Sequence, residues 1–226
     1  PRSRGLGDVY KRQEVRDYIV ESVGKTLDGA KISYVKWDMN RHMSDAYSPA
    51  LSNQGEFAHR YIIGLYEVLD RVFTPRRHIL FESCSSGGNR FDLGMLCYSP
   101  QIWASDDTDP IERLDIQSGL SYLYPQSTVG AHVSAAPHQQ TLRDTPLSTR
   151  FNVAAFGVLG YELELKYMTH AELKELRGQI EFYKAHRRTL QFGRFYRFDE
   201  RKDNKVHWQV SSRDGKEHIV GPVSYT

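Results

Sequence analysis

The sequence predicts an α/β fold, a partial (β/α)8 TIM barrel followed by an antiparallel β-sandwich domain. Short apolar runs rich in β-branched and aromatic residues alternate with longer segments of helical period, which is typical of successive βα units. Five such units are more than a small three-layer domain needs and fewer than the eight of a closed barrel, so we expect the first strands of the barrel to be missing. After residue 192 the pattern alternates between apolar and polar residues, as in an antiparallel sheet. A doubly wound parallel sheet is the alternative for the first part.

The two ends of the sequence differ from the rest. Residues 1–13 show no apolar period and, like residues 223–226, resemble translated adapter sequence from library preparation, with a natural basic tail as the alternative. We expect both segments to be non-native and the natural start of the chain to lie upstream. The first helix is predicted to begin at Glu14, where apolar residues first recur at helical spacing. We assign 14–191 to the barrel and 192–222 to the start of the β-sandwich domain.

Each further element rests on a local pattern. Residues 56–73 carry an apolar stripe at fourfold spacing and predict a helix that packs on a sheet and ends before Pro75. Thr169 and Glu172 have the spacing of a capping box, which predicts a helix to about residue 191. The predicted strands, five in the barrel and two in the second domain, are 32–38, 78–84, 101–106, 129–133, 157–162, 195–198 and 206–210.

The composition excludes several classes of protein. The 226 residues can bury a core, and 39% hydrophobic with 26% charged residues and no long apolar run are typical of a globular chain rather than a membrane-spanning one. A net charge of +2 gives no electrostatic reason to bind nucleic acid or a membrane surface. The two cysteines, Cys84 and Cys97, provide no disulfide framework, so we expect a reducing, cytoplasmic location.

Polar residues end the first and third predicted strands, where the reactive groups of βα proteins gather. Alternation along the first strand places Lys36, Asp38 and Asn40 on one face and Trp37 on the other. Asp106 ends the third strand and is expected to face Asp38, because alternate barrel strands contribute to the same layer. Two carboxylates over one cleft are what glycoside hydrolysis requires, one to protonate the leaving oxygen and the other to attack or to activate water.

The surroundings of the two carboxylates predict different roles. Lys36 beside Asp38 favours the ionised, nucleophilic form, whereas the like charges of Asp107 and Asp109 favour a proton on Asp106 and predict a general acid. Helix capping is the alternative for these aspartates, and we favour it for Asp109 because a proline follows it. An isolated Asp106 would also favour a cap, but its pairing with the group around Asp38 favours catalysis.

A glycine-rich segment at 82–90 follows the second strand and predicts a binding loop, because paired glycines let backbone approach a ligand closely. It lacks the GK[ST] ending of a phosphate-binding loop. Cys84 lacks the histidine signature of a cysteine nucleophile, so we interpret it as a small pocket-lining side chain. The acidic segment 106–109 lacks the glycine and distal glutamate of a calcium loop, and the nine histidines show no zinc-binding spacing. We therefore predict no metal and no cofactor.

Three long segments resemble bacterial α-galactosidases of glycoside hydrolase family 36: KWDMNR at 36–41, ESCSSGGNRFDLGML at 82–96 and PQIWASDDTDPIERLDIQSGLSYLYP at 100–125. The resemblance implies a (β/α)8 catalytic barrel followed by a β-sandwich. It also implies cleavage of terminal α-galactosyl groups, of melibiose or raffinose type, by double displacement with retention. Carried onto this sequence, it makes Asp38 the nucleophile and Asp106 the acid/base.

The same resemblance implies the contacts to the sugar. Lys36, Trp37 and Asn40 belong to the motif that binds galactose, and Cys84 with Gly87 belongs to the loop that closes on the sugar. In a retaining enzyme the two catalytic carboxyl groups are expected to lie about 5–5.5 Å apart.

Members of that family carry further segments with no counterpart here, an N-terminal β-domain and the first barrel strands, which supply two aspartates and an arginine to the sugar pocket. We therefore expect this chain alone to be inactive and, because of open sheet edges, prone to aggregation. The full-length protein could be a homo-oligomer. The alternative enzymes are α-N-acetylgalactosaminidases and galactosyl-transferring relatives such as raffinose synthases. A sugar-binding barrel without activity is disfavoured by the joint presence of Asp38 and Asp106.

Overall fold

The computed structural model describes residues 13–40, 46–198 and 204–224. The chain divides into two compact units, residues 1–100 and 101–226, each with its own strands and helices. Among the described residues, no helix has the length and apolar character needed to cross a membrane.

The first unit consists of two βα-type repeats. Its elements in chain order are α1 Gln13–Asp28, β1 Tyr34–Asp38, α2 Phe57–Phe73, β2 Leu80–Cys84 and the short α3 Leu93–Leu96. Strands β1 and β2 are parallel, in a register that sets Lys36 opposite Glu82 and Asp38 opposite Cys84. This register brings the two polar strand ends of the unit together.

Helix α2 provides most of the core of the first unit. The predicted stripe is buried throughout, and it consists of Phe57, Tyr61, Leu65, Leu69 and Phe73. The ring of Phe73 stacks on Phe81 of β2 with centroids 4.1 Å apart. The helix ends at Phe73, and Pro75 lies in the following 3₁₀ turn, as the sequence predicts.

The second unit contains a parallel and an antiparallel sheet. Strands β3 Gln101–Trp103, β4 Val129–Ser134 and β5 Val158–Glu162 are parallel neighbours in that order. Helices α4 Pro110–Leu120 and α5 Leu147–Ala154 connect them, and the long α6 His170–Phe192 follows. Strands β6 Arg194–Phe198, β7 Lys205–Ser211 and β8 His218–Ser224 form the antiparallel sheet.

The two sheets of this unit bury different clusters. Alternation along β4 directs Ala131 and Val133 into a core shared with α5 and α6, which leaves His132 on the other face. In the antiparallel sheet Trp208 is 1% exposed and packs edge-on against Phe156, and its indole Nε1 donates to Ser118 Oγ at 3.2 Å.

Most predicted elements are present, with altered ends. The first strand starts at Tyr34 rather than residue 32, and the third stops at Trp103 rather than 106, because the chain already turns towards the start of α4. The capping box at α6 is complete, with Thr169 as the N-cap and Glu172 bonded back to it. Helices were expected between the strands, but no bounds were predicted for the short helices α3 and α5, and the strand β8 was not predicted.

The domain assignments at the two ends stay predictions. Residues 1–12 lie outside the described residues, and Gln13 opens α1. Of the segment predicted to be a non-native tail, Val223 is buried and lies opposite Val206 in the antiparallel sheet.

Leu65→Ala in the complete protein should lower the free energy of unfolding by about 2–5 kcal/mol, because the leucine is fully buried and its removal leaves a cavity. Ile63 lies on the same helix with 51% of its surface exposed, so Ile63→Ala should change the stability by about 0.5 kcal/mol or less. Urea denaturation followed by circular dichroism measures both. Equal losses would contradict the packing of α2.

Candidate active site

The end of β1 carries the first group of candidate residues. Lys36 and Asp38 are exposed on one face, while the half-buried Trp37 packs its ring on the other face against Phe73 and Phe81, with centroid distances of 5.9 and 6.2 Å. The alternation predicted from the sequence is therefore present. Trp37 is therefore placed to stabilise the strand by packing. This placement gives no evidence for its predicted contact with substrate.

Asp38 is held in place by its neighbours. Asn40 donates from Nδ2 to Asp38 Oδ2 at 2.8 Å, and Asn40 Oδ1 accepts from the backbone N–H of Ser86 at 2.7 Å. One amide thus links the carboxylate to the loop that follows β2. The backbone of that loop is left-handed at Ser86 (φ 48°) and Gly87 (φ 81°). At position 87 the glycine adopts this conformation without strain.

Cys84 lies opposite Asp38 in the β1–β2 ladder, and its thiol is hydrogen-bonded to the Asp38 carboxylate. Burial first, and then this hydrogen bond, raises the pKa of Cys84 to about 11. The side chain is therefore a neutral thiol near pH 7, which fits the pocket-lining role predicted for it and disfavours a nucleophilic thiolate. The backbone of Gly87 bonds to the same side chain.

Lys36 pairs with a buried carboxylate that sequence reasoning did not single out. Glu82 is 1% exposed, and its Oε1 lies 3.4 Å from Lys36 Nζ. A carboxylate buried in a strand needs such a partner, because desolvation of an unpaired charge is costly. A glutamate within the otherwise uncharged run of β2 was the sequence signal that could have identified it.

Arg90 fastens the loop after β2 to the rest of the first unit. Its guanidinium donates to the carbonyl oxygen of Met39 at 3.1 Å, to the Ser85 hydroxyl and to the Tyr61 hydroxyl at 3.2 Å. The loop predicted at 82–90 is thus anchored both to the end of β1 and to α2. Its backbone is held close to Asp38 by these contacts.

In the second unit, Asp106 follows β3 by three residues and is exposed. The indole Nε1 of the buried Trp103 donates to Asp106 Oδ1 at 2.9 Å. Arg113, on α4, is 2% exposed and donates to three backbone carbonyls at 2.6, 2.6 and 3.0 Å, those of Ser105, Asp107 and Gly130. The turn that carries Asp106 is therefore fixed from both sides.

The burial of Arg113 lowers its pKa to about 10, against the opposing effect of nearby carboxylates, so the guanidinium stays charged near neutral pH. Sequence reasoning did not identify this residue. The available signal was an arginine on the helical face that otherwise carries buried Leu114 and Gln117.

Asp109 is the N-cap of α4, as predicted. Its Oδ1 accepts from the backbone N–H groups of Ile111 at 2.8 Å and Glu112 at 3.3 Å, and it also contacts Arg143. Burial alone would raise the pKa of Asp109, but hydrogen bonds from Thr141, Ile111 and Arg143 hold it below the usual range. The charge of Asp109 is thus compensated locally.

Of the predicted site residues, the structure brings Lys36, Asp38, Asn40, Cys84 and Gly87 together in the first unit. Asp106 belongs to the second unit. Within the described ranges, no group of three or more histidine, cysteine or acidic side chains is arranged to hold a metal ion.

Comparison with known sequences is consistent throughout. The sequence model of the Melibiase family matches residues 5–193. The α-galactosidase AgaA of Geobacillus stearothermophilus is 49% identical over 97% of this chain and 31% of its own length. α-Galactosidase 1 of Pediococcus pentosaceus is 51% identical over 92% of this chain and 29% of its own length. The chain spans about a third of the length of these curated relatives.

Solved structures agree. The crystal structure of the family 36 enzyme AgaA matches this chain with a TM-score of 0.90 at 48% identity, covering 97% of this chain and 32% of the AgaA chain. The α-galactosidase of Lactobacillus brevis gives a TM-score of 0.90 at 47% identity over 94% of this chain and 29% of its own. AgaA variants were crystallised with raffinose and with stachyose. These matches confirm the predicted resemblance and the predicted fold class.

Thiol labelling of the complete protein should distinguish its two described cysteines. At pH 8 a group with a pKa of about 11 is thiolate in about one molecule in a thousand, so Cys84 should resist iodoacetamide in the native state. Cys97 is exposed and should react. Peptide mass mapping before and after denaturation provides the measurement. Rapid native labelling of Cys84 would show that its thiol is neither buried nor bonded as described.

Proposed function

Because the chain belongs to the Melibiase family, we propose that the complete protein is a retaining α-galactosidase. It hydrolyses terminal non-reducing α-D-galactosyl groups of galacto-oligosaccharides of the melibiose and raffinose type. The observation that carries the proposal is the pair of carboxylates, Asp38 at the end of β1 and Asp106 in the turn after β3, each oriented by a donor from its own unit. The raffinose and stachyose complexes of the relative AgaA support the substrate class.

The reaction needs two steps. In the first, Asp38 attacks the anomeric carbon while the bond from that carbon to the glycosidic oxygen breaks, and Asp106 transfers its proton to the departing oxygen. In the second, Asp106 takes a proton from water, the water oxygen attacks the anomeric carbon and the bond to Asp38 breaks. Two inversions leave the released galactose in the α configuration.

The contacts of Asp38 suit a nucleophile. An amide from Asn40 and a thiol from Cys84 both bond to its carboxylate. Such contacts fix the direction of the attacking oxygen before substrate arrives, which avoids the cost of ordering it during the reaction. A neutral thiol can hold the carboxylate in this way without bringing a competing nucleophile or a second charge next to it.

The contacts of Asp106 suit a group that exchanges a proton. Its Oδ1 is occupied by the indole N–H of Trp103, and the side chain is exposed in the turn that follows β3. The second carboxyl oxygen, Oδ2, is then the one that carries the proton to the leaving group. Exposure also allows water to reach Asp106 in the second step.

The remaining first-unit residues are assigned to sugar binding by the family resemblance. Lys36, Asn40, Cys84 and Gly87 lie around Asp38 and carry the hydroxyl-binding groups of a galactose pocket: an ammonium, an amide, a thiol and a close-lying backbone. The ring of Trp37 packs on the opposite face of β1, so we assign it to supporting the strand.

Replacement of the two carboxylates should give different patterns. In the complete enzyme, Asp38→Ala should lower kcat/KM by about 10³-fold or more on every substrate, because no covalent intermediate forms. Asp106→Ala should lower it by about 10²–10⁴-fold on raffinose but far less on a dinitrophenyl α-galactoside, whose leaving group needs little acid help. Initial rates on both substrates provide the measurement.

Asp115→Ala, an exposed aspartate on α4, is the matched control and should retain wild-type rates. Equal losses of Asp106→Ala on both substrates would refute the acid/base role. A parent enzyme that cleaves an α-N-acetylgalactosaminide but not the α-galactoside would keep the chemistry and replace the assigned sugar.

The stereochemistry of the product provides an independent measurement. Proton NMR during hydrolysis should show α-galactose first, with the β anomer appearing only by mutarotation, because a retaining mechanism inverts twice. The two carboxyl groups should correspondingly lie about 5–5.5 Å apart in the complete enzyme. Initial appearance of β-galactose would require an inverting mechanism and a wider separation.

A further inference from the structure

We propose that Trp103 is a positioning residue for Asp106 and that His132 and Glu162 hold its indole in place. The inference rests on the proposed function, because it gives Trp103 a role only if Asp106 exchanges a proton during catalysis. It assigns a purpose to three side chains that lie outside the catalytic pair and the sugar contacts. All of them belong to the second unit.

The first step is the bond between Trp103 and Asp106. The indole is 4% exposed, and its Nε1 lies 2.9 Å from Asp106 Oδ1. A tryptophan N–H can only donate, so it selects one carboxylate oxygen and never competes for the proton that Asp106 exchanges. The direction of the donor is also fixed, because the N–H is part of the indole ring and cannot rotate independently of it.

The second step is what holds the indole. The guanidinium carbon of Arg113 lies 4.8 Å from the centre of the Trp103 ring, and the imidazole of His132 lies 4.4 Å from it at an interplanar angle of 51°. Arg113 is itself fixed by three backbone carbonyls. The indole is therefore flanked by two polar side chains whose own positions are determined by the structure.

The third step is the orientation of His132. Its Nδ1 lies 2.8 Å from Oε1 of Glu162 at the end of β5. His132 is opposite Gly160 in the β4–β5 ladder, and a Cβ at residue 160 would approach Cδ2 and Nε2 of the imidazole to 2.5 Å. The ring thus lies over a glycine and is bonded to a carboxylate two residues further along β5. Both contacts are made to β5, and they fix the ring at 4.4 Å from the indole of Trp103.

A purely structural role does not account for this arrangement. The Glu162 side chain is 50% exposed and that of His132 is 19% exposed, so their pair contributes little stability in water. Apolar residues would fill the same face of the sheet without any need for hydrogen bonds. We explain the pair of Glu162 and His132 by the need to hold the indole of Trp103 in one position.

The chemical benefit follows from the two-step reaction. Asp106 has to reach the same glycosidic oxygen position twice, first as an acid and then as a base. A displacement of about 1 Å can cost a factor of about 100 in rate, so a fixed donor at Oδ1 protects both steps.

Trp103→Phe in the complete enzyme tests the proposal. It keeps an aromatic ring, smaller than the indole, and removes the N–H, so kcat/KM on raffinose should fall by about 10- to 100-fold, while that on a dinitrophenyl α-galactoside should change by about threefold or less. Trp208→Phe is the matched control, because it removes another buried indole hydrogen bond, from Trp208 in the antiparallel sheet to Ser118 of α4. It should lower the melting temperature without changing the ratio of the two rates.

The holding pair is tested by a second comparison. Glu162→Ala should shift the same ratio in the same direction as Trp103→Phe, but by a smaller factor. Glu162→Gln should restore it, because the amide oxygen still accepts from His132 Nδ1. Crystal structures or melting curves of each variant separate a folding defect from a change in the ratio.

The outcomes distinguish the two levels of inference. Suppose that the parent enzyme is active and that Trp103→Phe lowers kcat/KM equally on both substrates, or changes the ratio of the two rates no more than Trp208→Phe does. The positioning role is then overturned and the proposed function stands. If Glu162→Ala leaves the ratio unchanged, the part of the proposal that assigns the holding pair is wrong. A parent enzyme without activity on any α-galactoside would overturn the proposed function and this role together.

Discussion

The parallel pairing of strands in a fixed register is the constraint on which the candidate residues of each unit depend. In the first unit it places Asp38 beside the thiol of Cys84 and Lys36 beside the carboxylate of Glu82. In the second it sets the imidazole of His132 over Gly160. A shift by one residue would turn every one of these side chains to the helix-covered face, so the hydrogen-bonded backbone ladder determines which polar groups meet.

Compensation of buried charge is the second requirement. Three buried charged side chains near the candidate residues each have a partner. Glu82 has Lys36, Asp109 has the backbone of α4 and Arg143, and Arg113 has three carbonyl oxygens. Removing one partner would leave an unpaired group away from water, which costs more than the loss of a surface contact. These residues hold the turns next to Asp38 and Asp106, while both of those carboxylates remain exposed.

The sequence predicts the order of the strands and long helices, because their periodicity is local. It singles out Asp38 and Asp106 as candidate catalytic carboxylates, because the strand ends of βα units gather reactive groups. It does not predict α3 or α5, which have four and eight residues and too few turns to establish a period. The holding contacts of Trp103 and Arg113 were also missed, because they join residues of different elements that only the tertiary structure brings together.

The glycine beneath His132 has an evolutionary consequence. Since a Cβ at residue 160 would require the imidazole to move, substitutions at the two positions are coupled, and a lineage that loses the histidine also loses this constraint on the glycine. Substitutions there are expected to be epistatic, with the order of mutations deciding which intermediates survive. Across the family, residues 132 and 160 should therefore change together, although 27 positions separate them along the chain.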